Sequence, residues 1–328
     1  MQALVAADTT ALSYWFNWKV LICAIWILSC MVTSLFIIWK YECFDNFKSD
    51  GGETQQDADN VWRPSLKQVH PFWLFLFRVT AFCLLLVTLI IKVNRSGGST
   101  LFFYTQWTLI LVTIYFGFGS LLSLYGCYRD HKRSSGTRNV HHDRVDAEQG
   151  SFMPLTNGES TSIPRTREVS ISQEEFRAPG IICYLFQVIF QMSAGAVTLT
   201  DFIYWSVIFP FLTIKDYKFK FMTVIMHTLN AVLLLGDTAL NCLQFPWFRI
   251  SYFVLWTCAF VIFQWILHGC VSIWWPYAFL DLSSPYAPLW YLLIGLVHIP
   301  CYGLFALIVK MKHYLLSKWF PQSYRCLR

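Results

Sequence analysis

Charge is scarce in this sequence. Of 328 residues only 13% are Asp, Glu, Lys or Arg, roughly half the share in a soluble globular domain, while 56% are hydrophobic and 18% aromatic. The shortage excludes a soluble enzyme domain, a disordered chain and a nucleic-acid binder. A mean hydropathy of +0.46 points instead to a polytopic membrane protein. An internal repeat is also lacking, and the apolar runs share no Gly or Pro interruption at matching positions, so no inverted-repeat transporter is indicated. No small-residue cleavage site follows the first apolar run, which therefore reads as a retained span and not a signal peptide. Cysteine is plentiful at 11, yet seven of them (Cys23, Cys30, Cys83, Cys242, Cys258, Cys270 and Cys301) fall inside apolar runs and read as small hydrophobes.

Seven runs are long enough to cross about 30 Å of hydrocarbon at about 1.5 Å per residue. They lie at 20–39, 73–92, 102–126, 183–210, 219–243, 250–274 and 289–311. The expected fold is all-α, a single transmembrane domain of seven helices over residues 1–328. The fifth run is broken by polar residues, and a hydropathy window is most apt to miss it. An odd number of spans puts the termini on opposite sides, and the basic residues choose between them. On the N-terminal side lie Lys19, Lys92, Arg95, Lys215, Lys218 and Lys220, which makes 6. On the other side lie 4 before the second span, 8 between the third and fourth, Arg249, and 5 in the tail, which makes 18. The N-terminus is thus expected outside or in a lumen, with the C-terminus cytosolic.

The segment 128–180 is rich in charge, Ser, Thr and Gly and is expected to be a disordered cytosolic loop. Ser170 and Ser172 follow the basic stretch Pro164-Arg165-Thr166-Arg167 and fit a kinase or other cytosolic regulatory partner. His131, His141 and His142 lack partner ligands for a metal site. Near the other face, Trp274, Trp275, Tyr277, Tyr286 and Trp290 form an interfacial belt around a proline-rich loop that reads either as a cap or as a re-entrant turn.

Polar side chains inside the spans carry the functional signal, because hydrocarbon penalises them unless they face the bundle interior and find partners. On the fifth run His227, Asn230, Asp237 and Asn241 share an arc of about 80° at about 100° per residue. At the inner level Arg78 has one intramembrane counter-ion at its own depth, Asp237. At the outer level lie Thr105, Asp201, His227, His268 and His298. A threonine hydroxyl becomes a nucleophile when a histidine accepts its proton, and an aspartate can fix that imidazole. Thr105, His227 and Asp201 are accordingly the candidate catalytic residues. Three histidines and an aspartate also fit a zinc or iron site by type, but no pair has the spacing of a His-Glu-x-x-His helix, and no metal or other cofactor is expected. The plain alternative is that all these groups are interhelical hydrogen-bonding glue.

The stretches FFYTQWTLILVTIYFGFGSLLSLYG, VTLTDFIYWSVIFPFL, VIMHTLNAVLLLGDTALN and WWPYAFLDLSSPYAPLW resemble a group of uncharacterised plant multi-pass proteins, from Trp62 to the C-terminus. More remotely, the threonine of the third span and the His-x-x-Asn face of the fifth are similar to the insect rolling stone protein. They also resemble the family of the androgen-induced protein and the androgen-dependent TFPI-regulating protein. That family consists of intramembrane threonine hydrolases that cleave fatty acid esters of hydroxy fatty acids with one threonine and one histidine. The resemblance matches Thr105 to the threonine and His227 to the histidine, and implies a lipid ester substrate within the bilayer. The hydrolases carry an Asn soon after the threonine, whereas here the order is Thr105-Gln106-Trp107-Thr108, so Thr108 is a second match. Two readings stand: a lipid ester hydrolase, and a non-enzymatic membrane protein with a structural, interaction or transport role.

Overall fold

The computed structural model describes residues 8–43, 61–148, 180–209 and 221–326. Regular structure in them is helical apart from two isolated β-bridges, Pro64 with Asn241 and Leu66 with Tyr324. Asn17 accepts from the Lys19 amide at 3.2 Å and opens α1, Trp18–Ile38. Pro71, with His70 Nδ1 accepting from the Phe72 amide at 3.2 Å, opens α2, Pro71–Ser96, and Gly97 at φ 55° ends it. There follow α3, Tyr104–Glu148; α4, Gly180–Ile203, continued by a π turn Tyr204–Ile208; α5, Phe221–Leu240; α6, Ile250–Cys270; and α7, Ala287–Trp319. Each overlaps one expected run.

Two expectations change in detail. Among the described residues six helices, α1 to α4, α6 and α7, are long and apolar enough to cross a membrane, where seven were expected. The remaining helix, α5, is 20 residues long, about 30 Å at about 1.5 Å per residue. Second, α3 continues through the first part of the segment read as a loop, as far as Glu148. Residues 149–179, with Ser170 and Ser172, lie outside the described residues.

At the centre stands α4, which packs against α3, α5, α6 and α7. Its buried stretch Ser193-Ala194-Gly195-Ala196 lets α6 approach closely: a Cβ on Gly195 would sit 2.6 Å from the Phe253 ring. Small residues at helix contacts are what packing in a bilayer favours, since lipid supplies no hydrophobic drive between helices. The perimeter is apolar. Leu21, Ile25, Leu28 and Val32 of α1 and Ile299, Leu304 and Leu307 of α7 are exposed, a surface suited to hydrocarbon and not to water.

Both ends of the bundle are tied. At one end Tyr14 donates to Asp281 at 3.0 Å and accepts from Trp275 at 3.1 Å, while Lys19 Nζ reaches the Ser283 carbonyl at 2.8 Å. The loop after α6 is thereby held across the helix ends as a cap. At the other end, residues 61–67, the end of α5 and the C-terminal segment form a clasp. The Ser65 amide donates to the Leu240 carbonyl at 2.7 Å, Lys67 to Ser323 at 2.7 Å and Arg325 to Ser65 at 3.0 Å. A disulfide joins Cys242 to Cys326 across 84 residues. Cys242 is thus not the inert hydrophobe expected of it. Its partner lies beyond two further helices, a distance no local spacing reveals. Close by, Arg249 pairs with Glu42 at 2.9 Å, and the Tyr184 and Tyr252 hydroxyls donate to the same carboxylate.

Candidate functional site

The polar stripe of α5 faces inward: His227, Asn230, Asp237 and Asn241 are all buried, whereas Val232 and Leu235 are exposed. At the inner level Arg78 and Asp237 are fully buried and meet in a two-pronged pair, Nε to Oδ1 at 2.7 Å and Nη2 to Oδ2 at 3.3 Å. Arg78 Nη1 donates to the Val61 carbonyl at 3.0 Å and to Ser123 Oγ at 2.8 Å. Asp237 Oδ2 accepts from Asn241 Nδ2 at 2.8 Å and from the Tyr115 hydroxyl. The Phe186 ring lies 5.1 Å from the guanidinium. Both charges are neutralised and hydrogen-bonded on several sides, so this cluster has no group left over for chemistry.

The outer level differs. A cavity of about 370 Å³ opens between the starts of α3 and α5, the end of α4, the middle of α6 and the cap. Thr105 and His227 both line it, together with Gln106, Thr200, Tyr204, Phe260 and Phe279. His227 Nδ1 lies 3.6 Å from Asp201 Oδ1, beyond a direct hydrogen bond but within charge contact. The imidazole stacks on Tyr204 with centroids 3.7 Å apart, a contact the π turn at the end of α4 provides. Thr105 stands in the first turn of α3 beside the Tyr277 oxygen of the cap, to which the Tyr104 amide donates at 3.1 Å. Burial pushes that phenol up to about 12, against the lowering effect of hydrogen bonding there. Thr108 is fully buried and donates to the Tyr104 carbonyl at 3.1 Å. It does not line the cavity.

A second cavity of about 350 Å³ lies between α1, α6 and α7. Thr257, Val261, Phe279, Leu280 and Ile294 line both, so the two spaces share a wall. His298 contributes to the second, and the hydroxyl of Ser251, also lining it, is buried with no hydrogen-bond partner among the described residues. His268 is elsewhere, stacked on Trp275 at 3.7 Å with Nδ1 on the Gln264 carbonyl at 2.7 Å. Three of the expected residues, Thr105, His227 and Asp201, are therefore brought into one neighbourhood, whereas His268 and His298 belong to others. Thr257 and Tyr104 drew no notice in the sequence. A helical threonine or a tyrosine at a membrane boundary carries no signal until its neighbours are known.

Among the described residues no group of three or more His, Cys, Asp or Glu side chains converges as a metal site. Compared with family models, curated proteins and solved structures, the chain matches none.

The inner cluster gives a direct test of coupling. Replacing Arg78 with Met or Asp237 with Leu strands the partner charge and should lower stability by about 3–5 kcal/mol, while the double replacement recovers much of the loss. Thermal unfolding in detergent would measure this, and losses that merely add would show the pair uncoupled.

Proposed function

We propose that the protein is a seven-span membrane protein without enzymatic activity at its inner polar cluster, built to hold a lipid chain between its helices. One observation carries this reading. Two adjoining cavities with predominantly apolar walls lie inside a bundle whose perimeter suits hydrocarbon, while the strongest intramembrane charges are consumed in packing. Ligand sites are concave, mostly apolar and furnished with a few placed polar groups, and these chambers have that make-up. A palmitate analogue bearing a photoreactive diazirine, irradiated with the protein in a bilayer disc, should label chamber residues such as Phe260 and Val261. Val261→Trp, which fills the shared wall, should cut that labelling severalfold. Labelling confined to perimeter residues such as Leu304 and Leu307 would overturn the reading.

A second reading is favoured by a separate observation, that Thr105 and His227 line the same cavity with Asp201 beside the imidazole. In the intramembrane ester hydrolase that Thr105 and His227 resemble, the threonine oxygen attacks a lipid ester carbonyl. His227 takes the proton and returns it to the leaving alkoxide. Purified protein should then hydrolyse fatty acyl esters, and Thr105→Ala or His227→Ala should lower the rate by about 100-fold or more. Turnover at the unaltered rate in both would exclude this site.

In either reading the 18-to-6 distribution of basic residues orients the chain with its N-terminus outside or lumenal and its C-terminus cytosolic. The Cys242–Cys326 bridge then lies on a face where thiols are kept reduced, so this orientation implies a bridge that closes only under oxidising conditions. Protease added to sealed, right-side-out vesicles should leave a C-terminal tag intact, and its removal would reverse the orientation.

A further inference from the structure

The second cavity is a groove with one polar end. It follows α1 from Trp26 to Ile37, about 17 Å at about 1.5 Å per residue, and α6, α7 and the cap complete its walls. Ser29 and Thr33 of α1 and Leu296 and Ile299 of α7 line it and are exposed on the perimeter, so it opens sideways toward hydrocarbon. Among the described residues no Asp, Glu, Lys or Arg lines it. Polar groups at its middle and toward the cap are spent on one another. His298 Nδ1 is 2.8 Å from the Ile294 carbonyl, which can only accept, so Nε2 presents a lone pair and accepts from Thr257 Oγ1 at 2.9 Å. The Tyr291 hydroxyl donates to the Leu280 carbonyl at 3.1 Å, and the Trp26 indole to the Tyr291 carbonyl at 3.1 Å. The far end differs. Ser251 is 1% exposed in the first turn of α6, and its hydroxyl has no hydrogen-bond partner among the described residues. Of the buried side-chain nitrogens and oxygens lining the groove, it alone is so placed. A buried hydroxyl without a partner carries a desolvation penalty, which a ligand hydroxyl beside it removes.

We propose that this groove binds a membrane sterol, with the sterol hydroxyl on Ser251 Oγ and the tail toward the cap. The inference rests on the reading that the chambers take lipid, and it gives the second of them a ligand of different shape from an acyl chain. An uncharged wall rejects a fatty acid carboxylate or a phosphate headgroup, whose charge would lie unpaired inside it. One unsatisfied hydroxyl at one end calls for an amphiphile with a single small polar group that can both donate and accept. Depth agrees. Ser251 is close in sequence to Arg249, whose ion pair with Glu42 lies at that end of the bundle, and a sterol in a leaflet carries its hydroxyl near the boundary with water. Length agrees too, since the groove matches a four-ring sterol with its side chain lying along a helix. The walls favour a rigid body over a flexible chain. Ile27, Ile37, Ile250, Val254, Ile294 and Ile299 are β-branched and stiff about their first side-chain bond, so they present a fixed surface. A fused ring system has few conformations to lose on entering such a space, whereas an acyl chain has many.

The test uses the full chain in bilayer discs with a cholesterol analogue carrying a diazirine in its ring system. Irradiation should label groove residues near Ser251, such as Val254 and Ile37, and unlabelled cholesterol should compete for this labelling. Cholestane, the same ring system without the hydroxyl, should compete about tenfold less well, the factor expected for one lost hydrogen bond. Ser251→Ala should weaken competition by cholesterol by a similar factor, and palmitate should compete poorly. The cholestane comparison is made on the unaltered protein, so misfolding of a variant cannot obscure it. Equal competition by cholestane and cholesterol would overturn the contact with Ser251, and the proposal with it. Competition by palmitate equal to that by cholesterol would overturn the sterol assignment and leave the lipid-chain reading standing. Labelling by the sterol probe of perimeter residues alone, such as Leu304 and Leu307, would also overturn the inference. The lipid-chain reading falls with it only if the palmitate probe misses Phe260 and Val261 as well.

Discussion

The buried pair of Arg78 and Asp237 is the constraint on which the arrangement of the bundle depends. A guanidinium keeps its charge at any accessible pH, so an arginine fixed in hydrocarbon imposes a carboxylate opposite it. The surroundings make room for that demand. Gly119 of α3 passes the arginine stem where a Cβ would stand 3.2 Å from Arg78 Cδ, and Gly236 of α5 passes Phe77 where a Cβ would stand 2.7 Å from the ring. Pairing fixes the rotation of α5 about its axis. Because His227 lies on the same arc of that helix as Asp237, turning the aspartate inward also turns the histidine inward, into the outer cavity. The electrostatic requirement at one depth thereby sets the side-chain geometry at another.

The two levels divide their labour by polar saturation. At the inner level Arg78, Asp237, Tyr115, Asn241 and Ser123 satisfy one another. Such a network stabilises mainly by avoiding the penalty of unmatched charge, and it leaves nothing to act on a ligand. At the outer level the polar groups are fewer and separated by aromatic and aliphatic walls, and there is empty volume. Placed polar groups beside empty apolar space are the usual make-up of a ligand site.

Much of this architecture was legible because a bilayer permits few solutions. A run of about 20 apolar residues must be helical to satisfy its own backbone, and the seven runs each meet a helix. The inward stripe of α5 followed from angular position alone, and Arg78 with Asp237 from depth and charge. What stayed hidden depends on which helices touch. Tyr115 and Ser123 share a helix with Thr105 but meet Arg78 and Asp237 only through the α2–α3–α5 packing. The bridge between Cys242 and Cys326 closes over two intervening helices. Glu42, just past the end of the first apolar run, becomes the acceptor for Arg249, Tyr184 and Tyr252. Periodicity fixes a face of one helix and is silent on its neighbour's register.

The threonines show how one residue type takes different hydrogen-bonding roles in the same bundle. In a helix a threonine hydroxyl normally donates to the carbonyl four residues back. Thr108 does so at 3.1 Å, Thr113 at 2.7 Å, Thr198 at 2.8 Å and Thr238 at 2.7 Å, and each thereby spends its one proton on the backbone. Thr105 and Thr257 are placed differently. For Thr105 the carbonyl four residues back is that of Leu101, which lies before α3 begins and accepts from the Trp107 indole at 3.0 Å. For Thr257 the Phe253 carbonyl is at 3.3 Å, and the nearer acceptor is His298 at 2.9 Å. Both residues line the cavities, as does Thr200, which donates to the Ala196 carbonyl at 2.9 Å, whereas Thr108 does not. A proton shared with an imidazole can be transferred, and one shared with a peptide carbonyl cannot, because the carbonyl is too weak a base to keep it.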